Sequence, residues 1–218
     1  MNEVKLQTQL DELRDSFNSQ APQEVKTVYE AGVKTVDDSG ITSNALQVGD
    51  TALDFSLSNA KGERVNLHDA LKEGPVVLTW YRGGWCPYCN LTLQALEKAL
   101  PEFKAAGAQL FALTPEVPDK SLSTAEKHAL DFEVLSDIDN AVARQYGIVY
   151  QLTNEVAQIY ASKFGLSDYN GNEKNELPLA ATYVIDPQGK ITYAFLEADY
   201  RKRAEPSEIT AALNQLQK

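Results

Sequence analysis

The sequence predicts an α/β fold in which a central mixed β-sheet is flanked by helices and preceded by an N-terminal helical arm. Three patterns predict it: apolar residues at helical spacing before residue 37, an apolar and β-branched run over residues 76–81, and two strands joined by a tight turn over residues 182–195. The chain has 218 residues, of which 43% are apolar, enough for one such domain and an appendage. We expect a helical arm and linker over residues 1–45 and a single domain over residues 46–218.

Two amphipathic helices are predicted over residues 3–36. Their apolar positions recur mostly three or four residues apart. The first helix carries Leu6, Leu10, Leu13 and Phe17, and the second carries Val25, Val28, Val33 and Val36. The polar stretch over residues 37–50 interrupts this pattern and is predicted to link the arm to the domain on which the arm packs.

The domain is predicted to alternate strands and helices. The predicted elements are a hairpin over residues 55–67, a strand over 76–81, a helix over 87–106, a strand over 109–113, a short helix over 123–128, a strand over 133–135, helices over 141–146 and 154–164, hairpin strands over 182–185 and 191–195, and a helix over 206–216. The run from Val76 to Tyr81 is apolar on both faces, which is typical of a buried central strand. Pro101 is expected to bend or divide the helix after that strand, and the turn over residues 186–189 closes the last hairpin.

Charge and composition exclude several classes of protein. The net charge is -11, from 20 basic and 31 acidic residues, so the chain lacks the basic excess that phosphate binding requires, and nucleic acid is not an expected partner. No stretch of about 18 apolar residues occurs, and the first residues lack a signal-peptide pattern. We expect a cytoplasmic protein that has no membrane partner.

The chemistry of the chain centres on its two cysteines. Cys86 and Cys89 lie where the predicted central strand passes through two glycines into a helix, in the motif WCPYC over residues 85–89. Backbone N–H groups and the positive end of the helix dipole stabilise a thiolate at such a position, so Cys86 is predicted to be ionised at neutral pH. Cys89 comes one helical turn later, near enough to form a reversible disulfide. We predict that Cys86 attacks the substrate and that Cys89 resolves the product.

Two other interpretations of the cysteines are weaker. Isolated cysteines in a cytosolic protein are often inert small apolar residues, but such residues rarely form a close pair at a strand-to-helix junction. A zinc site would need His68 and His128 as further ligands, and their separation from the cysteines is far from zinc-finger spacing. The redox interpretation is preferred, and no metal is expected.

The cysteine motif is part of a longer resemblance. The segments VGD over residues 48–50 and DFSL over 54–57, the turn at Gly62, the strand into WCPYC, and the segments TYVID over 182–186 and GKI over 189–191 resemble the alkyl hydroperoxide reductase and thiol-specific antioxidant family, the peroxiredoxins. The resemblance covers roughly residues 46–200 and implies a thioredoxin-like fold. It also implies a peroxidase cycle in which Cys86 attacks hydrogen peroxide or an organic hydroperoxide, becomes a sulfenic acid and condenses with Cys89. Thioredoxin or glutaredoxin would then reduce the disulfide, and no cofactor is implied.

This chain departs from the family at two positions. The family places Pro and Thr seven and three residues before the cysteine that attacks the peroxide, whereas this chain has Thr79 and Gly83 there. In the family the Thr hydroxyl helps to hold the peroxide and the thiolate, so we expect a positive charge to take its place. Arg82 and Arg201 are the candidates, and Arg201, which follows the last predicted strand, is predicted to be catalytic.

Two further functions stay open at this point. The CPYC tetrapeptide is the one found in glutaredoxins, and the preceding Trp85 is similar to that of thioredoxins, so the same pair would also serve a dithiol–disulfide oxidoreductase. Alternatively, the chain is a non-enzymatic binding module whose helical arm docks a partner or a second copy in a homodimer. Four aromatic residues between positions 149 and 176 are expected to fill the core rather than to line a site: Tyr150, Tyr160, Phe164 and Tyr169.

Overall fold

The computed structural model describes residues 4–217 and confirms the predicted α/β fold class. The helices are α1 (Leu6–Gln20), α2 (Gln23–Asp38), α3 (Ile41–Asn44), α4 (Leu67–Leu71), α5 (Pro87–Ala105), α6 (Pro118–His128), α7 (Ala141–Gln145), α8 (Asn154–Phe164), α9 (Leu166–Asn170) and α10 (Pro206–Gln215). The strands are β1 (Ser56–Asn59), β2 (Arg64–Asn66), β3 (Val76–Trp80), β4 (Gln109–Thr114), β5 (Glu133–Ser136), β6 (Val149–Gln151), β7 (Glu176–Pro178), β8 (Thr182–Ile185) and β9 (Ile191–Phe195). The predicted start of the arm at residue 3 lies outside the described residues.

The central sheet places β3 in its middle. Seven strands lie in the order β2-β1-β5-β4-β3-β8-β9. The strands β3, β4 and β5 are parallel neighbours, whereas β8 and β9 on one side and β1 and β2 on the other run antiparallel to their neighbours. All five residues of β3 are buried, as its apolar sequence predicted. The carboxyl end of β3 therefore delivers residues 81–86 to a buried edge of the domain.

The helix α5 carries the cysteines because of how it begins. Cys86 is the last extended residue before the first turn, and Pro87 takes the first helical position, where a missing N–H leaves no bond unmade. The Asn90 N–H donates to the Cys86 carbonyl at 3.1 Å and so starts the helix. Pro101 was expected to bend or divide this helix, but α5 continues through it to Ala105 as one element.

The helical arm packs on the domain, as the apolar pattern predicted. Leu6 and Leu10 of α1 are buried against α5, and α2 packs on α8. The carboxylate of Glu205 accepts the backbone N–H groups of Leu6 and Gln7 at 3.1 and 2.7 Å. These donors have no partner within their own helix, so Glu205 fixes the start of α1 on the domain.

Several short elements escape sequence analysis. Residues 37–50 were expected to be a linker, but they contain α3, and Ile41 and Ala45 join the main core. The strands β6 and β7 form a separate antiparallel pair, with Tyr150 opposite Leu177. Such elements are shorter than the window over which periodicity is informative. Among residues 4–217, no helix is long and apolar enough to cross a membrane.

Candidate active site

The two cysteines lie next to each other beneath the surface, at the amino end of α5. Both are free thiols, and the exposed fractions of Cys86 and Cys89 are 1% and 0%. The two thiols interact as hydrogen-bond partners that shift each other's pKa in opposite directions. Cys86 lines a cavity beside α5, and Cys89 is not among the lining residues. The two reduced cysteines are therefore neighbours, as predicted, and Cys86 is the one on the side of the cavity.

Burial decides how the pair ionises. It raises the pKa of the Cys86 thiol well above the usual range, and the hydrogen bond to Cys89 raises this pKa further, against the opposing charges of Arg82 and Arg203. Burial also opposes ionisation of Cys89, but the hydrogen bond from Cys86 and the two guanidinium charges outweigh it and hold the pKa of Cys89 well below the usual range. The two guanidinium groups therefore favour one negative charge on the cysteine pair. The resting Cys86 thiolate stays a prediction, and burial of the Cys86 sulfur opposes it, because a helix terminus alone does not replace the lost water.

Arg203 supplies positive charge to the inner cysteine. It lies in the segment between β9 and α10 and is 5% exposed. Its Nη2 donates to the Cys89 sulfur at 3.5 Å, and its Nη1 donates to the backbone carbonyls of Tyr200 and Lys202. A hydrogen bond between a guanidinium and a thiolate is charge-assisted and stronger than a neutral one. Arg203 thus stabilises negative charge on the inner sulfur.

Arg82 is enclosed by aromatic rings at the end of β3. Its guanidinium carbon lies 4.1 Å from the ring centroid of Tyr200, 5.1 Å from that of Trp85 and 5.3 Å from that of Tyr160. Its Nη2 donates to the Tyr160 hydroxyl at 2.5 Å. Its Nε and Nη1 have no hydrogen-bond partner among residues 4–217, although the residue is only 1% exposed. Buried donors without partners are costly, so this guanidinium is suited to an acceptor that binds from outside.

Arg201 forms a different set of contacts. Its guanidinium donates to Asp199 at 2.7 and 3.0 Å and to Glu30 of α2 at 2.5 and 3.2 Å. It therefore ties the helical arm to the segment after β9. The hydrogen bond to a cysteine sulfur comes from Arg203, two residues further along. The catalytic role of Arg201 stays a prediction.

The missing family Thr has a structural explanation. Gly83 has a φ of +150°, which side chains rarely adopt, and a Cβ atom there would lie 2.2 Å from Nε1 of Trp85. A Thr at this position is excluded while Trp85 packs against it. The hydroxyl of Thr79, at the family's Pro position, is occupied by a 2.8 Å hydrogen bond to the hydroxyl of Thr182 on β8. Arg82 is thus the polar group next to position 83 that keeps unpaired donors.

A buried carboxylate holds the loop that leads to Cys86. Glu116 follows β4, is 0% exposed, and accepts the Gly84 N–H and the Tyr81 hydroxyl, each at 2.9 Å. Gly84 also approaches α6 closely, since a Cβ atom there would lie 2.2 Å from Oγ1 of Thr124. These contacts fix the loop between β3 and α5. Sequence analysis missed Glu116 because a single acidic residue after a strand forms no distinctive pattern.

The cavity beside Cys86 has a volume of about 130 Å³ and is lined by residues of the arm, α8, the start of α5, the end of β3 and the segment after β9. Tyr160 and Phe164 of α8 are in its wall, where Trp85 stacks on Phe164 with ring centroids 5.2 Å apart. Tyr160 also belongs to a buried apolar cluster against which Phe164 packs, so the two residues contribute to the core, as predicted, and line the cavity as well. Tyr169 instead lies 4.8 Å from the ammonium group of Lys120.

The two histidines make contacts of their own. His128 lies at the end of α6, and its Nδ1 is hydrogen bonded to the side-chain amide of Gln94 at 3.1 Å. His68 lies in α4. Within the described part of the chain, no three His, Cys, Asp or Glu side chains are grouped so that they could hold a metal ion.

Known proteins resemble the chain over most of the domain. Residues 48–194 match the AhpC/TSA family. Peroxiredoxin Bcp of Escherichia coli strain K12 is 30% identical over 152 residues, which cover 70% of this chain and 86% of that protein. Peroxidoxin BcpB from Mycobacterium tuberculosis has a similar structure, with a TM-score of 0.63 and 23% identity over 79% of this chain and 99% of that one.

A third comparison concerns thiol chemistry. A yeast mitochondrial 1-Cys peroxiredoxin, described for its thiol resolving mechanism via glutathione/thioredoxin systems, has a TM-score of 0.58 and 21% identity over 79% of this chain and 76% of that one. The family match begins at residue 48, after α3, so the helical arm precedes the matched region.

Proposed function

The chain belongs to the AhpC/TSA family and is a peroxiredoxin, a thiol-dependent peroxidase, and within that activity we propose that Cys86 attacks the peroxide and Cys89 resolves the product. The observation that carries this division is the cavity, which Cys86 lines and Cys89 does not. A peroxide bound there meets the Cys86 sulfur first. Cys89 does not line the cavity and lies one helical turn further along α5, near the sulfur that it has to attack.

The single negative charge of the pair supports the first step. We assign the negative charge of the pair to Cys89, which acts as the base that accepts the Cys86 proton while the Cys86 sulfur attacks the terminal peroxide oxygen. The O–O bond breaks, the leaving alkoxide or hydroxide takes up this proton, and Cys86 becomes a sulfenic acid. The Cys89 thiolate then attacks the Cys86 sulfur, hydroxide leaves and is protonated to water, and the disulfide forms.

Arg82 is the group that we assign to hold the peroxide. It lines the same cavity as Cys86 and keeps two N–H donors without partners in the described chain. Peroxide oxygens accept hydrogen bonds, and negative charge develops on the leaving oxygen as the O–O bond breaks. A buried guanidinium that is already in place stabilises that charge without reorganisation. It thereby replaces the hydroxyl that the family has at the position of Gly83.

The proposed reductant is thioredoxin or glutaredoxin. A two-cysteine disulfide is reduced by thiol–disulfide exchange, and the similar yeast protein is described as resolved via glutathione/thioredoxin systems. An NADPH-coupled assay with each reductant supplied separately identifies the one that serves. Because both sulfurs are buried, the residues packed around Cys86 have to move before a protein thiol reaches the disulfide.

The test of the cysteine roles is stopped-flow oxidation of the reduced protein, followed through tryptophan fluorescence, with Cys86→Ser and Cys89→Ser variants. We expect fast oxidation that is abolished in Cys86→Ser, and a slower disulfide-forming phase that is lost in Cys89→Ser. Turnover of Cys89→Ser with a dithiol reductant at the wild-type rate would contradict its role as the resolving residue. Oxidation no faster than that of a free thiol, together with reduction of insulin disulfides, would instead support a dithiol–disulfide oxidoreductase.

A further inference from the structure

The cavity beside Cys86 is larger than hydrogen peroxide requires. Its volume of about 130 Å³ approaches the roughly 150 Å³ of an engineered apolar cavity in another protein that takes up benzene. Hydrogen peroxide has two oxygen atoms and would leave most of this space unfilled. Apart from Arg82, the lining is mostly apolar or aromatic and offers few partners for its hydrogen-bonding groups. The volume therefore indicates a ligand that carries an organic group.

The helical arm contributes part of the apolar wall. Leu13 and Phe17 of α1 and Tyr29 of α2 line the cavity opposite Phe164 of α8. The rings of Phe17 and Tyr29 lie 5.6 Å apart and pack against each other, so the two arm helices meet at the cavity. Both helices precede the region that matches the family. This part of the wall is thus a feature of this chain outside the matched domain.

Arg82 requires that the ligand also carry a hydrogen-bond acceptor. This residue lines the cavity, is 1% exposed, and has no partner for Nε and Nη1 within residues 4–217. A ligand that satisfies these donors needs an oxygen acceptor, and a ligand that fills the wall needs an apolar body. An organic hydroperoxide has both, with its peroxide group at one end and its hydrocarbon group at the other.

We propose that Phe17 and Leu13 of the arm are specificity-determining residues, which favour hydroperoxides with a compact aryl or branched alkyl group over hydrogen peroxide. This inference rests on the proposed function, since it needs Cys86 as the attacking residue. In the reaction the Cys86 sulfur takes the terminal oxygen of R–O–OH and the O–O bond breaks. The sulfur is oxidised to a sulfenic acid, and the substrate is reduced to the alcohol R–OH, which leaves with the proton that Cys86 lost.

The experiment compares second-order rate constants for oxidation of the full-length reduced protein by cumene hydroperoxide and by hydrogen peroxide. We expect cumene hydroperoxide to react faster with the wild-type protein. The ratio of the two constants should fall by about tenfold in Phe17→Ala, since contacts to a ring in an apolar pocket contribute discrimination of this size. Phe195→Ala is the matched control, because Phe195 is also half-buried but lies on β9 and does not line the cavity. It should keep the wild-type ratio.

A second variant tests the proposal independently in case Phe17→Ala does not fold. Leu13→Phe adds volume to the cavity wall, so it should lower the same ratio by filling the space that the organic group needs. A wild-type ratio near one, or a ratio that neither arm variant changes, would overturn the assignment of specificity while leaving the roles of the cysteines intact. Absence of fast oxidation by either peroxide would overturn the proposed function itself.

Discussion

Arg203 offers the sharpest test of how the cysteine pair is charged. Its Nη2 lies 3.5 Å from the Cys89 sulfur, and at this distance two unit charges attract by about 5 kcal/mol when the effective dielectric constant is about 20. The guanidinium charge is spread over three nitrogens, and Arg82 remains in Arg203→Met. We therefore assign about a third of this attraction, ~1.5 kcal/mol, to the charge that the variant removes, which corresponds to about one pH unit.

The expected result is a higher pKa of Cys89 in Arg203→Met, because the thiolate loses its nearest positive charge. The pH at which peroxide oxidation reaches half its maximal rate should rise by about one unit, and the variant should oxidise at the wild-type rate at alkaline pH. Stopped-flow rates measured across pH give the pH of half-maximal oxidation, and the ultraviolet absorbance of the thiolate gives the pKa. Arg203→Lys keeps the charge and should lie between the wild-type protein and Arg203→Met.

Controls separate this effect from general changes of charge. Arg144→Met removes an arginine that pairs with Glu176 at the surface and should leave the pH profile unchanged. If Arg203→Met has the wild-type profile, the assignment of negative charge to Cys89 is refuted. The sequence-based prediction for Arg201 is tested alongside, since an Arg201→Met profile displaced at least as far as that of Arg203→Met would confirm its catalytic role.

Three further predictions concern the loop and the arm. Burial raises the pKa of Glu116 above its ordinary 4.5, so the folded state binds more protons than the unfolded state, and the free energy of unfolding falls as the pH rises from 4.5 through the higher pKa of the folded state. Glu116→Gln should remove this decline in urea unfolding measured across pH. Glu116→Ala should lower the free energy of unfolding by about 1–3 kcal/mol, because the Gly84 N–H loses its acceptor. Gly83→Thr, which restores the family residue, should slow peroxide oxidation rather than increase it, because the new side chain displaces Trp85, and a faster stopped-flow rate would contradict this. Leu10→Ala should lower the free energy of unfolding by about 2–5 kcal/mol, since Leu10 is fully buried; a change below about 0.5 kcal/mol would mean that α1 is not anchored there.

The site replaces the family's hydroxyl by a guanidinium. Trp85 occupies the space in which a side chain at position 83 would lie, and the same ring packs beside Arg82. The aromatic enclosure keeps the Arg82 charge beside the cavity, while the hydrogen bond to Tyr160 fixes one edge of the guanidinium. The Trp85 ring therefore connects the two features, because it excludes a Thr at position 83 and helps to enclose Arg82.

The sequence by itself determined the elements that depend on local pattern. Apolar runs predicted β3 and the last hairpin, helical spacing predicted α1 and α2, and the glycine-rich junction placed Cys86 at the start of α5. These features follow from the properties of neighbouring residues, so a single chain reveals them. The family resemblance rests on the same kind of signal and predicted the fold and the peroxidase class.

The tertiary structure alone decided which residues meet at the site. Arg203 is 114 positions from Cys89, and no local pattern distinguishes it from Arg201, two residues earlier, which turns instead to Glu30 of the arm. Phe17 reaches the cavity only because α1 folds across α5. The ionisation of the cysteines likewise depends on burial and on distant charges. Each of these outcomes depends on long-range packing, which the spacing of residues along the chain does not encode.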